Sequence, residues 1–117
     1  YKGMPKTIRI GCYLFRVEIH EFEDAEADGA FGHMNPISQK IRLRPGMTAQ
    51  NLANTFIHEV LHGINWLSGA GLHTADSYAA TEEDFVTKGA NGLCAFWQDN
   101  PKAVVWWQKI LKLEEPA

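Results

Sequence analysis

TAQNLANTFIHEVLHGINWL, residues Thr48 to Leu67, repeats its apolar side chains at the period of an α-helix. At 100° per residue Leu52, Ala53, Phe56, Ile57, Val60, Leu61, Ile64 and Leu67 fill one broad arc. Asn51, Asn54, Thr55, His58, His62 and Asn65 fall on the opposite arc, with Glu59 at the border. Pro45-Gly46 closes whatever precedes the helix, and Thr48 is a suitable N-cap for a helix from Ala49 to about Leu67. Inside it, His58-Glu59-Val60-Leu61-His62 is an H-E-x-x-H box. Positions i and i+4 lie one turn apart on one face, so two imidazoles reach a common point away from the apolar stripe.

Upstream of this helix the period changes from 3.6 to 2. Ile8 and Ile10 alternate with polar residues, as do Phe15, Val17 and Ile19, and Gly11 interrupts them, which predicts a hairpin or a bulged strand over Thr7 to His20. Ala30 to Met34 reads as a short strand, and Asn35-Pro36 as a turn. Gln39 to Arg44 alternates Ile41 and Leu43 with charges, the pattern of a half-buried strand at a sheet edge. Downstream, Thr81 with Asp84 resembles a capping box opening a second helix to about Asp99, with Val86, Ala90, Leu93 and Trp97 on its buried face. Asn100-Pro101 opens a third helix, Lys102 to Leu113. The expected fold is α+β: one domain over residues 1–117, with a small twisted sheet packed on three helices and the box on the first long helix.

The 117-residue chain is 45% hydrophobic and 21% charged, as in ordinary globular proteins, and its net charge of -3 argues against non-specific nucleic-acid binding. Glu18, Glu21, Glu23, Asp24, Glu26 and Asp28 form an acidic run without Lys or Arg, read as a solvated loop. Cys12 and Cys94 give no disulfide framework and, in apolar contexts, are expected to be buried free thiols. No signal peptide or apolar stretch of membrane length is evident, so the expectation is a cytoplasmic protein without membrane or nucleic-acid partners.

The box carries a definite chemistry. A hydrolytic zinc site takes three protein ligands and leaves a fourth position for water, whose pKa the metal lowers towards about 7. His58 and His62 are two ligands, and Glu59 is the general base that takes the water proton and returns it to the leaving group. The bland reading of two solvent-facing histidines on a polar arc is outweighed by their place in a long amphipathic helix behind a strand. The metzincin continuation is excluded, because the required Gly and His positions hold Asn65 and Ser68. The third ligand stays open among His73, Asp76, Glu82, Glu83 and Asp84. Glu82 and Glu83, read as first-turn residues of the second helix, also have a plain explanation in the helix dipole. His20 and His33 read as surface histidines. Three of the four tryptophans have core-compatible spacing, and Trp66 borders the polar arc.

Thr55 to Ile64, then Glu82-Glu83 on a helix, Asn91-Gly92-Leu93 and Asp99-Asn100-Pro101 together resemble the small phage and prophage zincin-like metallopeptidases, similar to minimal gluzincin domains of the ImmA/IrrE type. The resemblance covers Ile41 to Pro101, and the box is its most specific part. It implies a Zn2+-dependent peptidase acting on a protein or peptide substrate, in a bacterial host cytoplasm if phage-encoded. It assigns the third ligand to Glu83, three residues before the aliphatic Val86, with Glu82 as runner-up; zincins of the SprT type would use a His such as His73. The acidic segment before the Gln39–Arg44 strand has no counterpart in the pattern. The expected substrate contact is addition of an extended peptide to the Gln39–Arg44 strand. The rival expectation is a metal-containing binding module without proteolytic activity, which a fourth protein ligand would favour.

Overall fold

A computed structural model describes residues 3–21, 31–69 and 78–113, with backbone alone for 78–84. Four strands, β1 (Thr7–Ile10), β2 (Tyr13–Ile19), β3 (Gly32–Asn35) and β4 (Lys40–Leu43), precede three helices, α1 (Ala49–Ser68), α2 (Tyr78–Asp99) and α3 (Pro101–Leu111). The α+β expectation therefore holds, as a mixed sheet with helices on one face.

β1 and β2 form the expected hairpin, and Gly11, at φ 61°, turns the chain where a side-chain-bearing residue would be strained. The sheet order is β1-β2-β4-β3. β4 runs parallel to β2 and antiparallel to β3. The strand at Gln39–Arg44 is thus interior, a correction to the expected edge position. Its alternation of Ile41 and Leu43 with charges records one buried face and one open face, and carries no information about neighbours in the plane of the sheet. After β2 the chain reaches the far position first, and the Asn35-Pro36 turn folds β4 back into the gap. Asn35 Oδ1 fastens that turn by accepting from the backbone N–H of Ile37 at 2.9 Å and of Ser38 at 3.2 Å.

The buried face of the sheet, Ile8, Ile10, Phe15, Val17, Ile41 and Leu43, packs on Leu52, Ala53, Phe56, Val60 and Ile64 of α1. Phe96 of α2 and Ala103, Trp106 and Ile110 of α3 complete the core, with Trp106 edge-on to Phe56 at 5.3 Å. α1 begins as expected: Thr48 accepts from the N–H of Asn51 at 3.1 Å, and Gly69 in the left-handed region ends the helix.

α2 departs from expectation in two respects. It starts at Tyr78, so Thr81 lies within the helix and the expected capping box does not open it. Tyr78-Ala79-Ala80 is compatible with helix and extends it by most of a turn. Its buried side is also rotated: Val86 is 62% and Trp97 41% exposed, while Phe96 is buried at 2%. The contact with α1 is made where α2 is thinnest, at Gly92, since a Cβ there would stand 2.3 Å from Ile64 Cγ2. Both cysteines are exposed, not buried. Cys12 sits in the hairpin turn, and Cys94 lies off the Gly92–Phe96 stripe. No helix among the described residues is long and apolar enough to cross a membrane.

Candidate metal-binding and hydrolytic site

The box lies in the middle of α1, with its two histidines on the arc turned away from the core. His58 and His62 are exposed, and their Nε2 atoms are 3.1 Å apart. The rings meet edge to face, with centroids 4.8 Å apart. Two nitrogens bound tetrahedrally to zinc at about 2.05 Å are about 3.3 Å apart. The two nitrogens thus stand at about the separation that two ligands of such an ion take, and the residues suit two of its ligand places. Without an ion, one ring donates to the other and fixes their tautomers relative to each other.

Glu59 differs from its neighbours in the box. It is only 5% exposed, at the seam where α1 meets β3. Burial pushes its carboxyl above its ordinary value, against the pull of positive charge at His62, His58 and His33. The result is a carboxyl raised above its ordinary value and near enough to the two imidazoles to feel their charge.

Gly32 is the residue that sequence reasoning passed over. β3 comes so close to α1 that a Cβ at Gly32 would lie 2.6 Å from Thr55 Cγ2 and 3.1 Å from both Glu59 Cγ and Oε2. Thr55, on the polar arc by periodicity, is buried for the same reason at 5% exposed. A glycine inside a strand pattern is a signal for such an approach, and it was available at position 32. His33, read as a surface residue, is exposed as expected, yet its charge acts on Glu59. Trp66 is 40% exposed and lies edge-on to Tyr13, with centroids 5.0 Å apart.

Among the described residues no group of three or more His, Cys, Asp or Glu is placed to hold a metal. His73 and Asp76 lie outside the described residues, and the side chains of Glu82, Glu83 and Asp84 are likewise outside them. The backbone of α2 places residues 82 and 83 in its second turn, so first-turn dipole stabilisation no longer accounts for acids at these positions. With Val86 exposed, the spacing that favoured Glu83 over Glu82 also loses its structural basis.

Among the described residues β3 is an edge strand of the sheet, against the Glu59 side of α1. Arg44 N–H donates to Phe31 C=O at 2.8 Å, which makes Phe31–Arg44 a bonded pair and, by alternation, His33–Arg42 and Asn35–Lys40 as well. The backbone groups of Gly32 and Met34 then face away from β4. At the opposite edge, Asn100 Oδ1 accepts from Arg9 N–H and its Nδ2 donates to Arg9 C=O, both at 2.8 Å. Asn100 thereby occupies β1 much as a neighbouring strand would.

Compared with known protein families, curated proteins and solved structures, the chain matches none.

Proposed function

We propose that the protein is a zinc-dependent peptidase of the gluzincin-like, H-E-x-x-H kind. The observation that carries the reading is the 3.1 Å approach of His58 and His62 Nε2 on the exposed face of α1, with the buried Glu59 between them in sequence and its carboxyl under the influence of both. His58 and His62 would hold the ion, together with a third ligand from Glu83, or from Glu82 or His73 in its place. Bound there, zinc supplies a Lewis acid that makes water acidic near neutral pH and polarises a carbonyl.

The protein's own residues do the rest. Glu59 takes the proton of the attacking water as the water oxygen bonds to the carbonyl carbon. When the carbon–nitrogen bond breaks, Glu59 passes that proton to the leaving nitrogen. Its raised pKa suits both transfers, because a carboxyl of ordinary acidity would return the proton less readily. The Gly32 and Met34 backbone groups on the β3 edge offer an extended peptide a strand to pair with. This moves the expected strand addition from β4 to β3, the strand lying against Glu59.

In a direct test, the full chain is loaded with zinc and offered a mixed peptide library. Wild type is expected to bind one equivalent of zinc and cleave. Glu59→Gln should keep the zinc and lose cleavage by at least about a hundredfold, the scale of a general base. His58→Ala and His62→Ala should lose the zinc. Alanine variants of Glu82, Glu83 and His73 identify the third ligand by which of them weakens zinc binding. Undiminished cleavage by Glu59→Gln would refute the mechanism, and zinc-loaded wild type that cleaves nothing would favour the binding module.

A further inference from the structure

The helix-free face of the sheet has a character that the net charge of the chain conceals. Alternation along the strands sends Arg9, Arg16, Lys40 and Arg42 to this face, with Glu18 the acid among the same strands. Arg42 Nε stands 4.0 Å from Glu18 Oε2. Among the described residues Arg16 and Lys40 make no ion pair.

These two cations are direct neighbours. Arg16 is in register with Lys40 on β4 and with Thr7 on β1, across strands about 4.8 Å apart. Between them and the end of the β3–β4 hairpin lies a cavity of about 520 Å3, lined by Thr7, Leu14, Arg16, Ser38, Gln39 and Lys40. Its wall is built rather than incidental. Gln39 takes a left-handed backbone, φ 55°, and is held there by its Nε2 donating to Leu14 C=O at 2.8 Å and by its own C=O accepting from Arg16 N–H at 2.9 Å. Ser38 and Lys40 flank Gln39 in that turn, and both line the pocket.

We propose that this pocket binds the phosphate group of a small phosphorylated molecule. Among the described residues two cations and no acid line the pocket, and a charge of +2 matches the -1.5 to -2 of a phosphate monoester better than the -1 of a carboxylate. Arg16 offers a planar fork for two phosphate oxygens, Lys40 a point charge, and Thr7 and Ser38 hydroxyl donors for the remaining oxygens. Leu14, 47% exposed, gives the carbon part of the ligand an apolar wall. The volume lies within the range of small-molecule sites, roughly 300–1,000 Å3. Among the described residues no aromatic side chain lines the pocket, which favours a small ligand over a polynucleotide stacked on aromatic rings. The sheet separates this pocket from His58 and His62, which makes the site independent of the peptidase reading.

The test is an amide-resolved NMR titration of the full chain with inorganic phosphate, then with adenosine monophosphate and a sugar phosphate to separate the two sources of the group. Saturable shifts are expected at Thr7, Arg16, Ser38, Gln39 and Lys40, and a monoester should bind more tightly than phosphate alone. R16Q/K40Q should weaken binding at least about tenfold, the loss expected of charged hydrogen bonds, while Glu59→Gln leaves it unchanged. Should the double variant lose its dispersed spectrum, Arg16→Lys carries the test, because loss of the fork should weaken binding several-fold. Shifts spread evenly over Arg9, Arg42 and Lys102 would overturn the proposal. So would affinity that survives these substitutions, or an oligonucleotide that binds far more tightly than the monophosphate.

Discussion

Glu59 is a carboxyl kept almost out of water at a helix–strand seam, and the fold is less stable for it. Burial raises its pKa in the folded chain above the value in the unfolded chain. A raised acid contributes its stability in full below the unfolded pKa and loses it as pH rises through the folded one. At neutral pH the ionised group therefore opposes folding. In metal-free protein Glu59→Gln, which keeps the shape and removes the charge, is expected to be more stable than wild type at pH 7. The difference should vanish at a pH below the ordinary carboxylate range, where both side chains are neutral. Urea denaturation at the two pH values measures it, and a less stable variant at pH 7 would contradict the assignment of burial as the main influence. The same residue shows what was legible. The box and its chemistry were plain in five letters, but the burial of Glu59 was not, since its place on the arc is borderline and its cover comes from Gly32, far away in sequence.

At the scale of elements, α1 was readable to within a residue at its C-terminal end because the apolar period runs unbroken from the Thr48 cap to Leu67. α2 was readable as a helix but not in its orientation. Hydrophobic periodicity weighs large side chains such as Val86 and Trp97, whereas the contact with α1 is made by the absence of one at Gly92. The neighbours of β4 were hidden for a different reason: the β2–β4 pairing depends on the route taken between β2 and β3, which no local pattern encodes. The seam between β3 and α1 tests how tightly these elements are fitted. Gly32→Ala puts a methyl group within 2.6 Å of Thr55 and 3.1 Å of Glu59. It is expected to destabilise the fold by about 1–3 kcal/mol and to lower any cleavage by displacing the carboxyl. Denaturation midpoint and turnover, measured on the same preparation, check this; a variant with an unchanged midpoint would show that the seam yields freely.

For the whole molecule, the helices cover one face of the sheet and leave the other to cations, while the two edges are treated differently. β1 is closed by Asn100, a residue the sequence marks only as the start of α3. Its side chain makes no cap bond to α3 and is committed to Arg9 and to Phe96 C=O. The consequence concerns assembly. Among the described residues β3 is the edge left to pair, so a second copy joined edge to edge about a two-fold axis would use β3 of both copies and leave the pair no described open edge. Association by that route would stop at two. Asn100→Ala would open the second edge and turn a self-limiting contact into an open-ended one, so concentrated solutions of the variant are expected to pass beyond dimers into larger, β-rich species. Light scattering across a concentration series would reveal the difference, and a variant no larger than wild type would show that α2 alone suffices to guard β1.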